Sequence, residues 1–331
     1  MRESEIIELF LRHLKRQGDL PLGDDAGALK LGDRWLVATN DMLVRKTDVP
    51  DIMTPEQVGF KAVTMNVSDI ASMGARPIGF LFSLGIPGDL DSDYLEGIAR
   101  GIGEALDFYD LPVLSADTNE ADDLIIDGIA LGFAERLLTR SGARPGELVC
   151  VTGDLGRALA GYLVWKNGLE VSDAVRKTLY EKFLEPKARV EEGVALSRVA
   201  GSAIDISDGL AKELHLLAEM SGVGIEVYPE RLPIGKGVED VAGILDLDPV
   251  EVALASGEEF ELVFTISPEN VEFLDFEFSV IGRVVSEREV VMVNKRGRTP
   301  IPKLGWEHFE IEVPDNILKP LTVVELAVPR G

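Results

Sequence analysis

Residues 54–84 read TPEQVGFKAVTMNVSDIASMGARPIGFLFSL, and this stretch carries the pattern that decides the fold. The opening letters TPEQ are typical of a helix start, with a capping hydroxyl, a proline in the first turn and a glutamine three residues after the cap. The later letters GARP predict that this helix ends at about Met73. The apolar run at 78–84 then predicts a strand, so a helix passes directly into a strand.

The same alternation continues on both sides of this stretch. Upstream, residues 3–16 predict an amphipathic helix, and residues 35–39 predict a strand that runs directly into Asn40 and Asp41. Downstream, the pattern predicts a helix from about Ser92 to Tyr109 and strands at 111–115, 124–133, 148–152, 203–206, 225–228, 261–265, 278–281 and 290–293.

The predicted elements fall into two groups. Residues 135–147 interrupt the pattern with the letters RSGARPG, which are typical of a connecting loop. A chain of 331 residues is long enough for two ordinary domains. We therefore expect an α/β plus α+β protein, with an N-terminal domain over 1–136 and a C-terminal domain over 137–331.

Charge and hydropathy limit the function classes. The formal net charge is −25, from 58 acidic and 33 basic residues, and such a surface repels nucleic acid and anionic membranes. No apolar run approaches the ~20 residues that span a bilayer, and residues 1–5 lack the basic start of a secretion signal. We expect a cytoplasmic protein with neither a nucleic-acid nor a membrane partner.

Cysteine and histidine give little support for a thiolate or zinc site. The single cysteine, Cys150, lies in an apolar strand pattern and is expected to be a buried thiol rather than a nucleophile. The three histidines, His13, His215 and His308, are far apart in sequence, which disfavours a zinc cluster.

Aspartates recur in turns and next to predicted strands. Any one of them taken alone is best explained as a turn or cap residue, but five groups in one chain predict a shared carboxylate site. Converging carboxylates repel one another unless a cation lies between them, and Mg²⁺ favours oxygen ligands. The five groups are Gly23–Ala26, Thr39–Asp41, Asn66–Asp69, Ser115–Thr118 and Ile204–Gly209.

The common nucleotide-binding and hydrolase motifs are missing from the sequence. It contains no G-x-x-x-x-G-K-[ST] loop, which excludes a P-loop kinase, and no G-x-S-x-G elbow. Gly101 and Gly103 lack the third glycine of a dinucleotide fingerprint and lie within a predicted helix. An ATP-using enzyme with this sequence would need another way to hold phosphate.

The motifs, in this order, resemble those of thiamine-monophosphate kinase from near Gly23 to near Phe309. They are GDDA at 23–26, KAVTMNVSDIASMGARP at 61–77, LTRSGARPG at 138–146, AIDISDGL at 203–210, ASGEEFELVFT at 255–265 and GWEHF at 305–309. The resemblance implies the fold of aminoimidazole ribonucleotide synthetase, with an N-terminal domain that pairs with its copy in a homodimer. It also implies direct, Mg²⁺-assisted transfer of phosphate from ATP to thiamine monophosphate, which gives thiamine diphosphate.

The resemblance also implies a role for particular residues. Implied magnesium ligands are Asp25, Thr39, Asn40, Asp41, Asp69, Asp117, Asp205 and Asp208. Implied ATP contacts are Ala116, Asp117, Arg140 and Ser207, and implied acceptor contacts are Asp48, Glu258 and Trp306. The residues expected to carry catalysis are Asp69, Asp205, Asp208 and Arg140.

Some positions depart from the family pattern. Asn40 stands where a hydroxyl residue is common, and its amide oxygen is still able to ligate Mg²⁺. Asp48 lies near the place of a frequent histidine, and Ala116 replaces a glycine. The metal positions are mostly kept, whereas positions that contact the substrates differ.

Other enzymes of the same fold are alternatives. A selenophosphate synthetase or a hydrogenase-maturation dehydratase is disfavoured because each uses a cysteine or selenocysteine near a chain end, and this chain has Cys150 alone. A ligase like aminoimidazole ribonucleotide synthetase and a non-catalytic nucleotide-binding homologue remain open.

Overall fold

The computed structural model describes residues 3–14, 17–20 and 22–306. The predicted N-terminal helix is present as α1 (Glu3–Leu11), shorter than the expected 3–16. His308 and the last letters of the motif at 305–309 lie outside the described residues.

The first half of the chain forms a five-stranded sheet with the strand order β1-β2-β5-β3-β4. Strands β3 and β4 are parallel, and the other neighbours are antiparallel. Its elements are β1 (Gly27–Leu31), β2 (Arg34–Val44), α2 (Arg45–Asp48), α3 (Pro55–Ser72), β3 (Arg76–Ile86), α4 (Ser92–Phe108), β4 (Val113–Glu120) and β5 (Ile125–Ala134).

Helix α3 forms as its sequence predicts. The Thr54 hydroxyl accepts a hydrogen bond from the Gln57 backbone and the Gln57 side chain accepts one from the Thr54 backbone, which completes the capping box. The helix ends before Gly74, whose φ of +68° suits glycine. Most of α3 is buried, including the polar residues Lys61, Thr64, Asn66, Ser68 and Ser72.

The second half forms a seven-stranded sheet with the order β12-β11-β8-β10-β6-β9-β7. Neighbours are antiparallel except β8 and β11, and short 3₁₀ helices cover Pro229–Arg231 and Pro268–Phe273. The elements are β6 (Leu148–Thr152), α5 (Arg157–Lys166), α6 (Asp173–Leu184), α7 (Val190–Leu196), β7 (Ala200–Asp205), α8 (Leu210–Ser221), β8 (Gly224–Val227), α9 (Val238–Leu245), α10 (Pro249–Ala255), β9 (Leu262–Ile266), β10 (Phe278–Val285), β11 (Val290–Asn294) and β12 (Gly297–Pro300).

The two halves pack against each other through apolar and polar contacts. Phe183 and Leu184 of α6 belong to the hydrophobic core of the first half. The Trp165 indole donates to the Asp51 carboxylate at 2.9 Å, and the Tyr109 hydroxyl accepts from the Ala188 backbone at 3.0 Å. The sheets use separate stretches of chain, and the exact domain division at 136/137 stays a prediction.

Two predicted strand ends are wrong. Asn40 and Asp41 lie inside β2, because this strand pairs with β5 from Trp35 through Val44. Asp117 lies inside β4, which pairs with β3 as far as Glu120. Sheet pairing with a long neighbour overrides the low strand propensity of Asn and Asp.

Two other predictions concern the core and the membrane. Cys150 is fully buried in β6, as expected, and burial raises the pKa of its thiol to about 12. Among the described residues, no helix combines the length and the apolar character that crossing a bilayer requires.

Candidate active site

Three aspartates from distant parts of the chain meet at the boundary between the two halves. They are Asp25 in the loop before β1, Asp69 on α3 and Asp205 at the end of β7. Each contributes one carboxylate oxygen to a group whose members all lie within 4.8 Å of one another. We call these three side chains the carboxylate cluster.

Each carboxylate of the cluster is oriented by a hydroxyl group. Thr39 of β2 donates to Asp69 Oδ2 at 2.6 Å, since β2 runs beside α3. Ser68 donates to Asp205 Oδ2 and Ser72 donates to Asp25 Oδ2, both at 2.6 Å. Side-chain rotation is therefore restricted at all three aspartates.

Sequence analysis missed Ser68 and Ser72. They are four residues apart on α3, so they project from the same side of the helix. Both are fully buried, and this side of α3 faces the second half of the protein. A pair of small hydroxyl residues at helical spacing beside Asp69 was the available signal.

Asn66 and Asp41 extend this arrangement toward β2. The Asp41 backbone N–H donates to Asn66 Oδ1 at 2.9 Å. Asn66 and Asp69, predicted to share one face of the helix, both contact β2. Asp41 is close enough to raise the pKa of Asp69 by charge repulsion.

The electrostatics of the cluster favour a positive ligand. Burial raises the pKa of Asp69 well above its usual value, and the neighbouring charges of Asp41, Asp205 and Asp25 raise it further. Burial and the charge of Asp25 likewise raise the pKa of Asp205. A cation between these oxygens would relieve the repulsion.

Arg140 lies on one side of the cluster. Its guanidinium pairs with the Asp25 carboxylate through Nε, at 3.0 Å from Oδ1, and through Nη2. Nη1 donates to the Gly23 carbonyl at 3.0 Å, and the Arg140 backbone donates to Asp24 Oδ1 at 2.8 Å. Burial raises the pKa of Asp24 to about 6, against the lowering effect of that hydrogen bond.

The loop that follows β7 brings four predicted site residues together. The Glu258 backbone donates to the Ser207 carbonyl at 2.7 Å, and the Trp306 backbone donates to the Asp208 carbonyl at 2.9 Å. Lys212 then pairs with Asp208 Oδ2 at 2.5 Å and donates to the Trp306 carbonyl at 2.9 Å. We call Ser207, Asp208, Glu258 and Trp306 the second wall of the site.

Glu213 is a further buried carboxyl group that sequence analysis missed. It lies in the first turn of α8 and accepts a hydrogen bond from the Asp208 backbone at 3.2 Å. Burial, followed by the charges of Asp208 and Asp205, raises its pKa well above the usual value. Glu213 therefore links the second wall electrostatically to the cluster.

Asp48 approaches the second wall through Lys61. The Lys61 ammonium lies 2.5 Å from Glu258 Oε1 and donates to the Asp48 carbonyl at 3.1 Å. The Asp48 carboxylate itself accepts from the Val44 backbone at 2.7 Å, which closes the short helix α2.

Ala116, Asp117 and Asn40 do not join the carboxylate cluster within one chain. The sheet register places Asp117 opposite Ser83, Ser83 opposite Asp127, and Asp127 opposite Met42. Asp117 is thus three strands from β2, which is roughly 14 Å.

Asn40 and Asp117 also lie on the other side of the sheet. Side chains alternate along β2, so Asn40 and Met42 project away from α3 while Thr39 and Asp41 project toward it. Asp117 shares the side of Met42 because the residues in that cross-strand row point the same way. Ala116 and Asp117 are exposed along with the rest of β4.

Comparison with known proteins agrees with this architecture. The profile of the AIR synthase related protein family matches residues 23–134 with its N-terminal domain and residues 144–294 with its C-terminal domain. The predicted fold is confirmed.

Two curated relatives and one solved structure are particularly similar. The thiamine-monophosphate kinase of Pyrococcus abyssi is 56% identical, over 93% of this chain and 96% of its own. That of Pyrococcus horikoshii is 49% identical, over 94% of this chain and 97% of its own. The solved structure of AaThiL complexed with AMPPCP and TMP superposes with a TM-score of 0.85 and 32% identity, over 93% of this chain and 97% of that one.

The family profile extends over both halves and includes Asp25, Asp69 and Asp205 of the cluster. With its fold and its sequence in agreement, the chain belongs to the thiamine-monophosphate kinase family.

Proposed function

We propose that this protein transfers the γ-phosphate of ATP directly to thiamine monophosphate and releases ADP and thiamine diphosphate. The observation that carries the proposal is the carboxylate cluster next to Arg140 and the second wall, in a chain of this family. The related AaThiL has been solved with AMPPCP and TMP, which supports the same pair of ligand classes here.

The cluster suits Mg²⁺. Its donors are all oxygen atoms within 4.8 Å of one another, and burial, followed by like-charge repulsion, raises the pKa values of Asp69 and Asp205. Asp25, Asp69 and Asp205 would hold the metal, with Thr39 and Asp41 nearby, and Asp208 would serve a further ion. When bound, Mg²⁺ offsets the charge of the phosphates and orients them.

The protein's own residues position the reactants. Arg140 binds phosphate with its planar guanidinium, the geometry that suits phosphate oxygens. The hydroxyls of Thr39, Ser68 and Ser72 keep the carboxylates in place. The acceptor is already a phosphate and is largely ionised near neutral pH, so the reaction needs no strong general base.

The second wall binds the acceptor. Thiamine carries a cationic thiazolium ring, and the carboxylate of Glu258 together with the aromatic face of Trp306 suits such a cation. Ser207, which accepts a hydrogen bond from the Glu258 backbone and precedes Asp208, would contact ATP. Asp48 adds to the acceptor side through its position next to Lys61.

A homodimer would complete the site. Among the described residues, the face of the five-stranded sheet opposite α3 exposes apolar side chains, with Leu29 and Met42 about half exposed, and the edge strand β4 exposes Leu114 in the same way. Unpaired edges and apolar faces of this kind favour association with another chain. We propose that a second copy associates through this sheet, and that its Ala116, Asp117 and Asn40 come close to the site of the first copy.

The test is turnover of thiamine monophosphate at increasing Mg²⁺ concentration, with ADP and thiamine diphosphate measured together. The proposal predicts equal amounts of both products and none after chelation of the metal. ADP with inorganic phosphate and no thiamine diphosphate would point to a ligase-type reaction on another acceptor. Absence of both products would favour a non-catalytic homologue. A cytoplasmic location stays a prediction from the sequence.

A further inference from the structure

Lys61 is a buried cation on helix α3 that the phosphate-transfer scheme does not use. It is 1% exposed, although it carries a charge. Burying an ammonium group is costly unless the group is paired and hydrogen-bonded. Its salt bridge to Glu258 at 2.5 Å and its hydrogen bond to the Asp48 carbonyl at 3.1 Å meet this requirement.

Glu258 has an unfavourable backbone conformation and a partly exposed side chain. Its φ of +55° is left-handed, which is unfavourable for a residue other than glycine, and Phe260 has a φ of +46°. The Glu258 side chain is 39% exposed, so its carboxylate reaches the surface of the site while Oε1 is held from below by Lys61. Loss of that contact would free the side chain to occupy several rotamers.

The loop that carries Glu258 is also held by ion pairs at Glu261. Lys182 pairs with Glu261 at 2.5 Å, and Arg189 binds the same carboxylate at 2.6 Å. These contacts hold the end of the loop where β9 begins. Lys182 is thus a buried lysine in the same region that pairs with Glu261 and, at 3.9 Å, with Glu259 rather than with Asp48 or Glu258, which makes it a matched control.

Helix α3 connects Lys61 to the phosphate-transfer site. Asp69 follows Lys61 by two turns of the helix, or about 12 Å along its axis. A contact made by Lys61 therefore fixes the acceptor-binding residues relative to the carboxylate cluster. The connection is rigid because most of α3 is buried.

We infer that Lys61 is a positioning residue for the acceptor, which ties Glu258 and the Asp48 backbone to the helix that carries Asp69. The inference rests on the proposed function, since that assigns the acceptor to Glu258. Lys61 aligns the acceptor with the transferring phosphate and leaves the binding of ATP unchanged. Loss of the Lys61 ammonium should therefore raise the KM for thiamine monophosphate without raising the KM for ATP.

The experiment compares Lys61→Met with wild type and with Lys182→Met, in the full-length protein with Mg²⁺. In Lys61→Met, the KM for thiamine monophosphate rises about tenfold, equivalent to about 1.4 kcal/mol, while the KM for ATP changes less than about twofold. Lys182→Met lowers the unfolding temperature and leaves the ratio of the two KM values unchanged. A general loss of stability would not produce the difference between the two KM values that is expected for Lys61→Met.

A double-mutant cycle tests whether Lys61 acts through Glu258. Glu258→Gln alone also raises the acceptor KM, and adding Lys61→Met has little further effect, because the two residues act as one unit. If Lys61→Met does not fold, Lys61→Arg serves instead. Its guanidinium keeps the charge but shifts the donors, so the acceptor KM rises about threefold.

Three outcomes would overturn the inference. They are an unchanged acceptor KM in a folded Lys61 variant, a parallel rise of both KM values, and full additivity with Glu258→Gln. Each of these outcomes can be measured only if the wild-type protein turns over thiamine monophosphate. Any of them would therefore overturn the role of Lys61 and leave the proposed function in place. A wild-type protein that neither binds nor phosphorylates thiamine monophosphate would overturn the proposed function, and this inference with it.

Discussion

The boundary between the two halves and the edge strand β4 carry parts of one implied site. The residues at the boundary are assembled and held in place, whereas those on β4 are exposed and distant from them. At the boundary, Asp25, Asp69 and Asp205 meet, and each is held by a hydroxyl donor. On β4, Ala116 and Asp117 are exposed and lie three strands away from β2.

This difference teaches which part of the site a single chain is able to build. Packing of α3 between the sheet and the second half assembles the cluster without any other molecule. In the part of the chain that the structure describes, strand β4 has a neighbouring strand on one side only, and its motif does not reach the cluster of its own chain.

The largest expected effect belongs to the boundary. Asp69→Asn should lower kcat by roughly 100- to 1000-fold, as expected for loss of a group that stabilises transition-state charge. The metal-free variant should unfold at the same temperature as wild type or higher, because a repelling buried charge is removed. Steady-state kinetics and thermal unfolding measure the two effects.

Asp107→Asn is the matched control for this variant, since Asp107 is exposed near the end of α4. Its kcat should stay within about twofold of wild type, in line with ordinary surface substitutions. Wild-type activity in Asp69→Asn would remove this residue from the metal-binding set.

The contrast itself is tested by mixing subunits. Asp117→Asn and Asp69→Asn should each be nearly inactive as pure dimers. If Asp117 acts across the dimer, each mixed dimer has one site with both changes and one site with neither. Co-expression at equal amounts should then restore about a quarter of wild-type activity, since half the dimers are mixed and half their sites are intact.

The mixing experiment gives a different result if Asp117 does not act across the dimer. If Asp117 acts within its own chain, every site in a mixed dimer keeps one damaging change, and activity stays near that of the pure variants. A monomeric wild type in solution would also contradict the arrangement across the dimer.

A smaller effect is expected for the hydroxyls that orient the cluster. Ser68→Ala removes the hydrogen bond to Asp205 and should lower kcat about tenfold, since a hydrogen bond to a charged group contributes about 1.5–3 kcal/mol. Ser92→Ala, at the exposed start of α4, is the control and should leave kcat unchanged. An unaltered kcat in Ser68→Ala would mean that Asp205 is oriented without this donor.

The smallest effect is on stability as a function of pH. Asp24 has a folded pKa of about 6 against 3.8 in the unfolded chain, and the pKa values of Asp69, Asp205 and Glu213 are also raised. The folded state therefore binds protons more tightly, so these groups make the metal-free protein less stable as pH rises through this window.

Bound Mg²⁺ should offset this loss. The rise in unfolding temperature on adding Mg²⁺ should be larger at about pH 7.5 than at about pH 5, because protons compete with the cation for the same oxygens. Differential scanning fluorimetry with and without chelator measures the difference. An equal rise at both pH values would argue against a metal at the carboxylate cluster.

Local features of the fold were predictable from the sequence because they depend on a few neighbouring residues. The capping box at Thr54 and the glycine end of α3 were recognised from their letters. The buried thiol of Cys150 followed from its apolar strand pattern. Strand ends were less reliable, as Asn40 and Asp117 show, because they depend on the length of the neighbouring strand.

The residues of the candidate site also fall into those that were predictable from the sequence and those that were not. Its aspartate motifs were visible in the sequence, and their order carried the family resemblance. Ser68, Ser72, Glu213 and Lys61 were missed as site residues, because a hydroxyl, a carboxylate or an ammonium on a helix has no local sign that its partner is distant in sequence.

The types of element, the chemistry of the side chains and the family are all readable from the order of the residues. Tertiary structure alone decided that Asp25, Asp69 and Asp205 meet, that Lys61 pairs with Glu258, and that Asp117 stays apart. The two kinds of information differ because the interactions behind them act over different distances along the chain. Backbone hydrogen bonding and side-chain periodicity act over a few residues, whereas a contact between distant segments exists only after both have been packed against a common core.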